Sequence, residues 1–183
     1  MSKTAQVPEQ RAGRAFGALL LGGFGTVWLV LWAWRSNYGH AVPMAIVAAI
    51  GLGSLLWVYA IYRRLTAATV ETSETPAQRR AIRIFHIVNF GQWIVILVVG
   101  NVLANLGLGA WVIPMAIAVI GLHFIPLAHI FKSPSRYLTG AALLLVAICY
   151  PLLLPAGPAS SVGCLCAGMI LWISALWGLR KAG

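Results

Sequence analysis

Acidic side chains are nearly missing from this sequence: Glu9, Glu71 and Glu74 are its three carboxylates, against 13 Lys and Arg. None of the three lies in a long apolar run, and a proton or sodium pump driven by carboxylates needs an Asp or Glu inside the membrane. The hydrolase and transferase chemistries that rest on a carboxylate dyad, or on a nucleophile beside its base, find neither arrangement here. Cysteine is scarce as well, at Cys149, Cys164 and Cys166. The Cys-Leu-Cys spacing of the last two is not a metal motif. Buried, unreactive thiols on apolar helices are expected, with a bridge from Cys149 to one of the others as the alternative. The two halves of the chain show no matching residues, so an inverted-repeat transporter has no support from the sequence.

What the chain has is apolar length. Hydrophobic residues make up 61% and charged residues 9% of it. Six long runs, at 16–34, 42–62, 82–106, 110–131, 137–154 and 160–179, are rich in Leu, Val, Ile, Ala, Gly and Trp. About 20 helical residues cross a hydrocarbon core of about 30 Å, and in lipid each span must satisfy its own backbone. The sequence therefore predicts an all-α membrane protein. Its six transmembrane helices form three sequential antiparallel hairpins within a single transmembrane domain over 1–183.

Charge orients the spans. Lys3, Arg11 and Arg14 precede the first, Arg63, Arg64, Arg79, Arg80 and Arg83 flank the second loop, Lys132 and Arg136 the fourth, and Arg180 and Lys181 follow the last. Twelve cations thus fall on one side and Arg35 alone on the other. Because Lys and Arg near a membrane resist translocation, both termini are expected in the cytoplasm, with a tail at 1–14 and a loop at 65–80, in the inner membrane of a bacterial-type cell. The net charge of +10 is accounted for by helix ends facing anionic headgroups, and no nucleic acid is needed as a partner. The first run is too long for a signal peptide and is not followed by a small-x-small cleavage site, so it is expected to stay as helix one.

Local signals place the helix starts. Thr75-Pro76-Ala77-Gln78 reads as an N-cap, a first-turn proline and a capping-box glutamine, so helix three begins before the membrane. Ser133-Pro134 gives a similar start for helix five, and Pro43 and Pro158 suit the first turns of helices two and six. Trp28, Trp32, Trp34 and Tyr38 at the outer end of helix one, and Tyr59, Tyr62, Tyr137 and Trp177 at inner ends, read as aromatic belts. Gly13 with Gly17, and Ala18 with Gly22, have the spacing that lets helices approach closely.

Polarity is concentrated in the third and fourth spans. Helix three carries His86, Asn89, Gln92, Asn101 and Asn105, and helix four carries His123 and His129. Amides and imidazoles cost free energy in hydrocarbon unless partnered, so such residues face the bundle interior or a wet cavity. A turn at Gly107 to Gly109 puts His86 at the depth of His129 and Gln92 at that of His123. At 100° per residue, His86, Asn89 and Gln92 step round helix three by about 60° each, a slanting stripe. Pro126 lies between His123 and His129, where it can bend helix four.

Four readings compete for His86, Asn89, Gln92, His123 and His129. They can hydrogen-bond one another and glue the hairpin into the bundle. They can line a polar pocket open to the cytoplasm that binds or passes a small organic molecule, neutral or anionic because no carboxylate is present to balance a cation. The histidines can ligate haem or a metal, although adjacent helices do not easily bracket a haem and zinc wants further ligands. Finally, His123 can act as a general base, without any visible nucleophile to serve.

Gly121-Leu122-His123-Phe124-Ile125-Pro126, following a helix that carries Asn89 and Gln92, resembles an element of the form Gly-x-His-Phe-x-Pro in small six-helix bacterial multi-pass membrane proteins. Those families are functionally uncharacterised. The resemblance therefore implies a fold and singles out His123 and Pro126, without implying an activity. In size and helix count the chain also resembles the substrate-binding subunits of energy-coupling vitamin transporters, an architectural likeness carried by no residue motif.

The expectation is therefore a polytopic inner-membrane protein that binds or transports a small organic solute at helices three and four, surrounded by membrane lipids and joined by further copies or a partner subunit. A structural or assembly subunit and a histidine-ligated haem or metal protein are the alternatives. The cofactor is unknown, and the chain leans away from being an enzyme. Orientation is checked by replacing Ser73 with Cys after Cys149, Cys164 and Cys166 are changed to Ala. In intact cells an impermeant thiol reagent should leave Ser73→Cys unmodified until the membrane is breached; labelling from outside would reverse the topology.

Overall fold

The computed structural model describes residues 3–36, 40–67, 76–130 and 133–180. Among them the protein is helical with no strand, and six helices are long and apolar enough to cross a membrane. They are α1 (Lys3–Ser36), α2 (Ala41–Ala67), α3 (Pro76–Asn105), α4 (Val112–Ile130), α5 (Pro134–Leu153) and α6 (Val162–Arg180), with single 3-10 turns at Gly109–Trp111 and Gly157–Ala159.

The first three helices overrun their apolar segments. α1 starts in the polar tail, where Ala, Gln, Glu and Arg are good helix formers. α3 starts at Pro76, the expected first-turn proline; its cap, Thr75, lies outside the described residues. α5 starts at Pro134 after Ser133, whose backbone is extended, but the Ser133 hydroxyl pairs with that of Ser135 at 3.1 Å and does not cap the helix. Pro158 is a correction. It sits in the 3-10 turn after Gly157, whose φ of +56° breaks the chain direction, and α6 begins only at Val162, where the amide donates to the Ser160 hydroxyl. The end of α3 is set by Gly107 at φ +74°. There the Leu108 amide donates to the Leu103 carbonyl and the Gly107 amide to that of Ala104, a Schellman closure that needs the left-handed glycine.

Contacts gather into two compact units. One holds α1, α2 and α6 from Gly168 onward; the other holds α3, α4, α5 and the start of α6 through Ala167.

In the first unit, α1 runs antiparallel to α2. The Phe16 ring lies 6.0 Å from that of Tyr62, Gly22 faces Leu55, and Thr26 fills the space above Gly51, so each step along α1 is matched by a step back along α2. α1 and α6 cross where two glycines meet. A Cβ on Gly25 would stand 3.1 Å from the Gly168 carbonyl oxygen, and one on Gly168 would stand 3.0 Å from that of Gly25. Ala18, Val58 and Ala175 form the buried centre, with Leu19, Leu21 and Leu179 packed against it.

In the second unit, α3 packs on α4 and α4 on α5. A Cβ on Gly100 would stand 3.7 Å from Val112 and from Met115. α4 and α5 meet at a second glycine pair: a Cβ on Gly140 would lie 2.8 Å from the Gly121 carbonyl oxygen, and one on Gly121 would lie 3.0 Å from that of Gly140. Without side chains at these points the backbones come close enough for dispersion and Cα–H···O contacts, which drive helix association where lipid removes the hydrophobic term.

The glycines expected at a helix contact are only partly those that make one. Ala18 and Gly22 are buried, while a Cβ on Gly13 would meet nothing within 4 Å. Trp28 also departs from its reading as an interfacial anchor, being 8% exposed; Trp34 at the helix end is exposed as expected, and Tyr38 lies outside the described residues. The three cysteines form no disulfide, Cys164 being buried and the other two half-buried.

Backbone oxygen cannot rotate away from an added methyl. Gly140→Ala should therefore cost about 1–3 kcal/mol, read as a lower unfolding midpoint in detergent. Gly13→Ala should be neutral or slightly stabilising, since alanine favours the helix. Equal midpoints for the two variants would contradict the glycine crossing.

Candidate functional site

Six polar side chains on these helices are satisfied by their own backbone. Thr26 Oγ1 donates to the Gly22 carbonyl at 2.8 Å, Ser54 to Ile50 at 2.8 Å, Thr66 to Tyr62 at 3.1 Å and Thr139 to Ser135 at 3.1 Å. The amides of Asn101 and Asn105 do the same, to Leu97 at 2.8 Å and to Asn101 at 2.9 Å. Each reaches back one turn to a carbonyl that already accepts a helical hydrogen bond, so the polar group is covered without a partner helix.

The five residues expected to form a site separate by exposure. His86 on α3 and His129 in the last turn of α4 are exposed, the His86 ring packing edge-on at 5.7 Å from that of its neighbour Phe85. Asn89 and His123 are half-buried, and Gln92 is buried with 9% of its surface exposed. Asn89, Gln92, Phe85, Ile96, Gly100 and Leu103 share one side of α3 at helical spacing, and Gly100 marks that side as the one against α4. The polar centre at this interface is thus Asn89, Gln92 and His123, without the two outer histidines.

The imidazole of His123 is half-buried on α4. Its ring stands edge-on to Phe124, centroids 6.0 Å apart, and the imidazole lies beside the backbone of Val88, one turn before Gln92. Nδ1 is buried with no hydrogen-bond partner. Assigning the proton to Nε2 leaves a lone pair on Nδ1 inside the protein. An acceptor left in that condition costs about 1–3 kcal/mol, unless a donor reaches it. Among the described residues no three of His, Cys, Asp and Glu gather as a ligand set.

Gly121 and Pro126, which frame His123 in the sequence, have separate structural roles. Gly121 is the contact with Gly140 on α5, and Pro126 lies inside α4, which continues to Ile130. Two buried polar residues escaped the sequence reading. Thr139 is buried on α5, and Tyr150 is buried with its ring over Gly163 on α6. The signal for Tyr150 was present in the expected turn near Pro155 to Pro158, which sets an aromatic opposite a glycine.

Against known proteins, no family model, curated protein or solved structure matches the chain.

Local satisfaction has a measurable consequence. Asn101→Ala and Asn105→Ala should each change stability by less than about 0.5 kcal/mol, whereas Gln92→Ala, at the α3–α4 interface, should cost more than about 1 kcal/mol. Thermal unfolding in one detergent checks the ranking, and equal losses at all three positions would contradict it.

Proposed function

We propose that this protein is a multi-pass inner-membrane protein that binds, and in its full setting passes, a small organic solute between α3 and α4. The six helices stand as three sequential hairpins with both termini in the cytoplasm. Antiparallel contacts between α1 and α2, and the one-sided distribution of Lys and Arg, support that arrangement. In this orientation His123 lies seven residues from the end of α4 at Ile130, about 10 Å along the helix from the cytoplasmic end.

The observation that carries the reading is the buried, unpartnered Nδ1 of His123 on the same interface as the buried amide of Gln92. A fitting solute has an N–H or O–H to give to Nδ1 and a polar group for the Gln92 and Asn89 amides. It is neutral or anionic, since no carboxylate lies in any of the six spans to balance a cation. A single chain of six spans offers a limited interior, which favours a further copy or a partner subunit in the working assembly.

Native mass spectrometry of the protein purified gently from its host should show a reproducible non-lipid adduct, lost on His123→Ala and kept on His129→Ala, whose imidazole is exposed. A bare chain in both, or an adduct insensitive to His123, would overturn the reading and leave the polar centre as helix glue.

A further inference from the structure

The side of α3 turned away from α4 is a continuous exposed stripe that is cationic at one end and apolar for the rest. Arg80, Arg83 and His86 occupy the first part and are exposed. Ile87, Phe90 and Leu97 follow at 62%, 69% and 61% exposure. At 100° per residue all six fall within about 120° of arc, centred close to Arg83, so the charges stand directly above the apolar groups. From Ile87 to Leu97 the helix rises about 15 Å, half the thickness of a hydrocarbon core of about 30 Å.

We propose that this stripe is a binding site for an anionic glycerophospholipid of the cytoplasmic leaflet. The phosphate lies against Arg80 and Arg83, with His86 beneath, and one acyl chain runs down Ile87, Phe90 and Leu97. Charge complementarity selects this occupant. A second copy docked two-fold on it with the helices parallel would set Arg83 against Arg83, a like-charge pair at the membrane surface. A zwitterionic lipid matches the apolar part but brings no net charge. Near a membrane surface each Arg adds about 1 kcal/mol of attraction to anionic lipid. Two on one helix face, aligned with an acyl track, turn a diffuse attraction into a located one.

The test is a competition on the full-length protein. It is exchanged into micelles holding equal amounts of phosphatidylglycerol and phosphatidylcholine with the same acyl chains, and retained lipid is counted by native mass spectrometry. The intact protein should favour phosphatidylglycerol by tenfold or more on about two charges. The paired variant Arg80→Gln with Arg83→Gln should lose most of that preference, while Arg63→Gln with Arg64→Gln, an equal loss of charge on α2, should keep it. Phe90→Ala should reduce retention of both lipids, and soluble glycerol phosphate should fail to displace the bound lipid. No preference in the intact protein would overturn the proposal. So would equal loss in the α2 pair, displacement by soluble glycerol phosphate, or a dimer dissolved by Phe90→Ala. The helical signal in circular dichroism, recorded for every variant, separates loss of binding from loss of fold.

Discussion

A hydrocarbon core offers no hydrogen-bond partner, and this scarcity shapes every level of the protein. It requires that spans be helical, since a helix pairs its own amides and carbonyls. It removes the hydrophobic drive between helices and leaves packing to hold them, which is why the backbones of α1 and α6, and of α4 and α5, approach through facing glycines. It also explains why Thr26, Ser54, Thr66, Asn101, Asn105 and Thr139 turn back to their own preceding turn. Against that background a buried nitrogen with no partner, Nδ1 of His123, departs from the pattern of these six side chains.

Membrane class and span number were legible because they depend on composition over about 20 residues, a scale at which single side chains average out. Helix ends were legible where a proline or a glycine forces the backbone, as at the starts at Pro76 and Pro134 and the close of α3 at Gly107. Pro158 misled because a neighbouring glycine with positive φ changed its context from a helix start to a separate turn. The helix contacts were the least legible. In a chain with 19 glycines, spacing alone does not tell Gly13, which faces open space, from Gly25 and Gly121, which meet another backbone.

The candidate site was legible as a polar hairpin but not as a set of residues. Depth matching brought Gln92 and His123 to one level, close to what the Val88 contact of His123 gives. Facing depends on the direction each residue takes round its helix, and there His86 falls on the outer stripe with Arg83 and Phe90 instead of with Gln92. The two sides of α3 are thus chemically distinct: Asn89 and Gln92 toward α4, and a cationic and apolar track away from it. The proposed solute site and the proposed lipid site on this one helix therefore share no residue.

The central claim is that Nδ1 of His123 waits for a donor from outside the protein. It is tested most directly by nitrogen-15 magnetic resonance of histidine-labelled protein in micelles, with His123 assigned by its loss in His123→Ala. The account predicts a tautomer protonated at Nε2, with an Nδ1 resonance typical of a free lone pair that moves when the host's solute extract is added. An Nδ1 already shifted by a hydrogen bond in the purified protein, abolished by Gln92→Ala and unmoved by the extract, would contradict it and make the pair an internal clasp of α3 and α4.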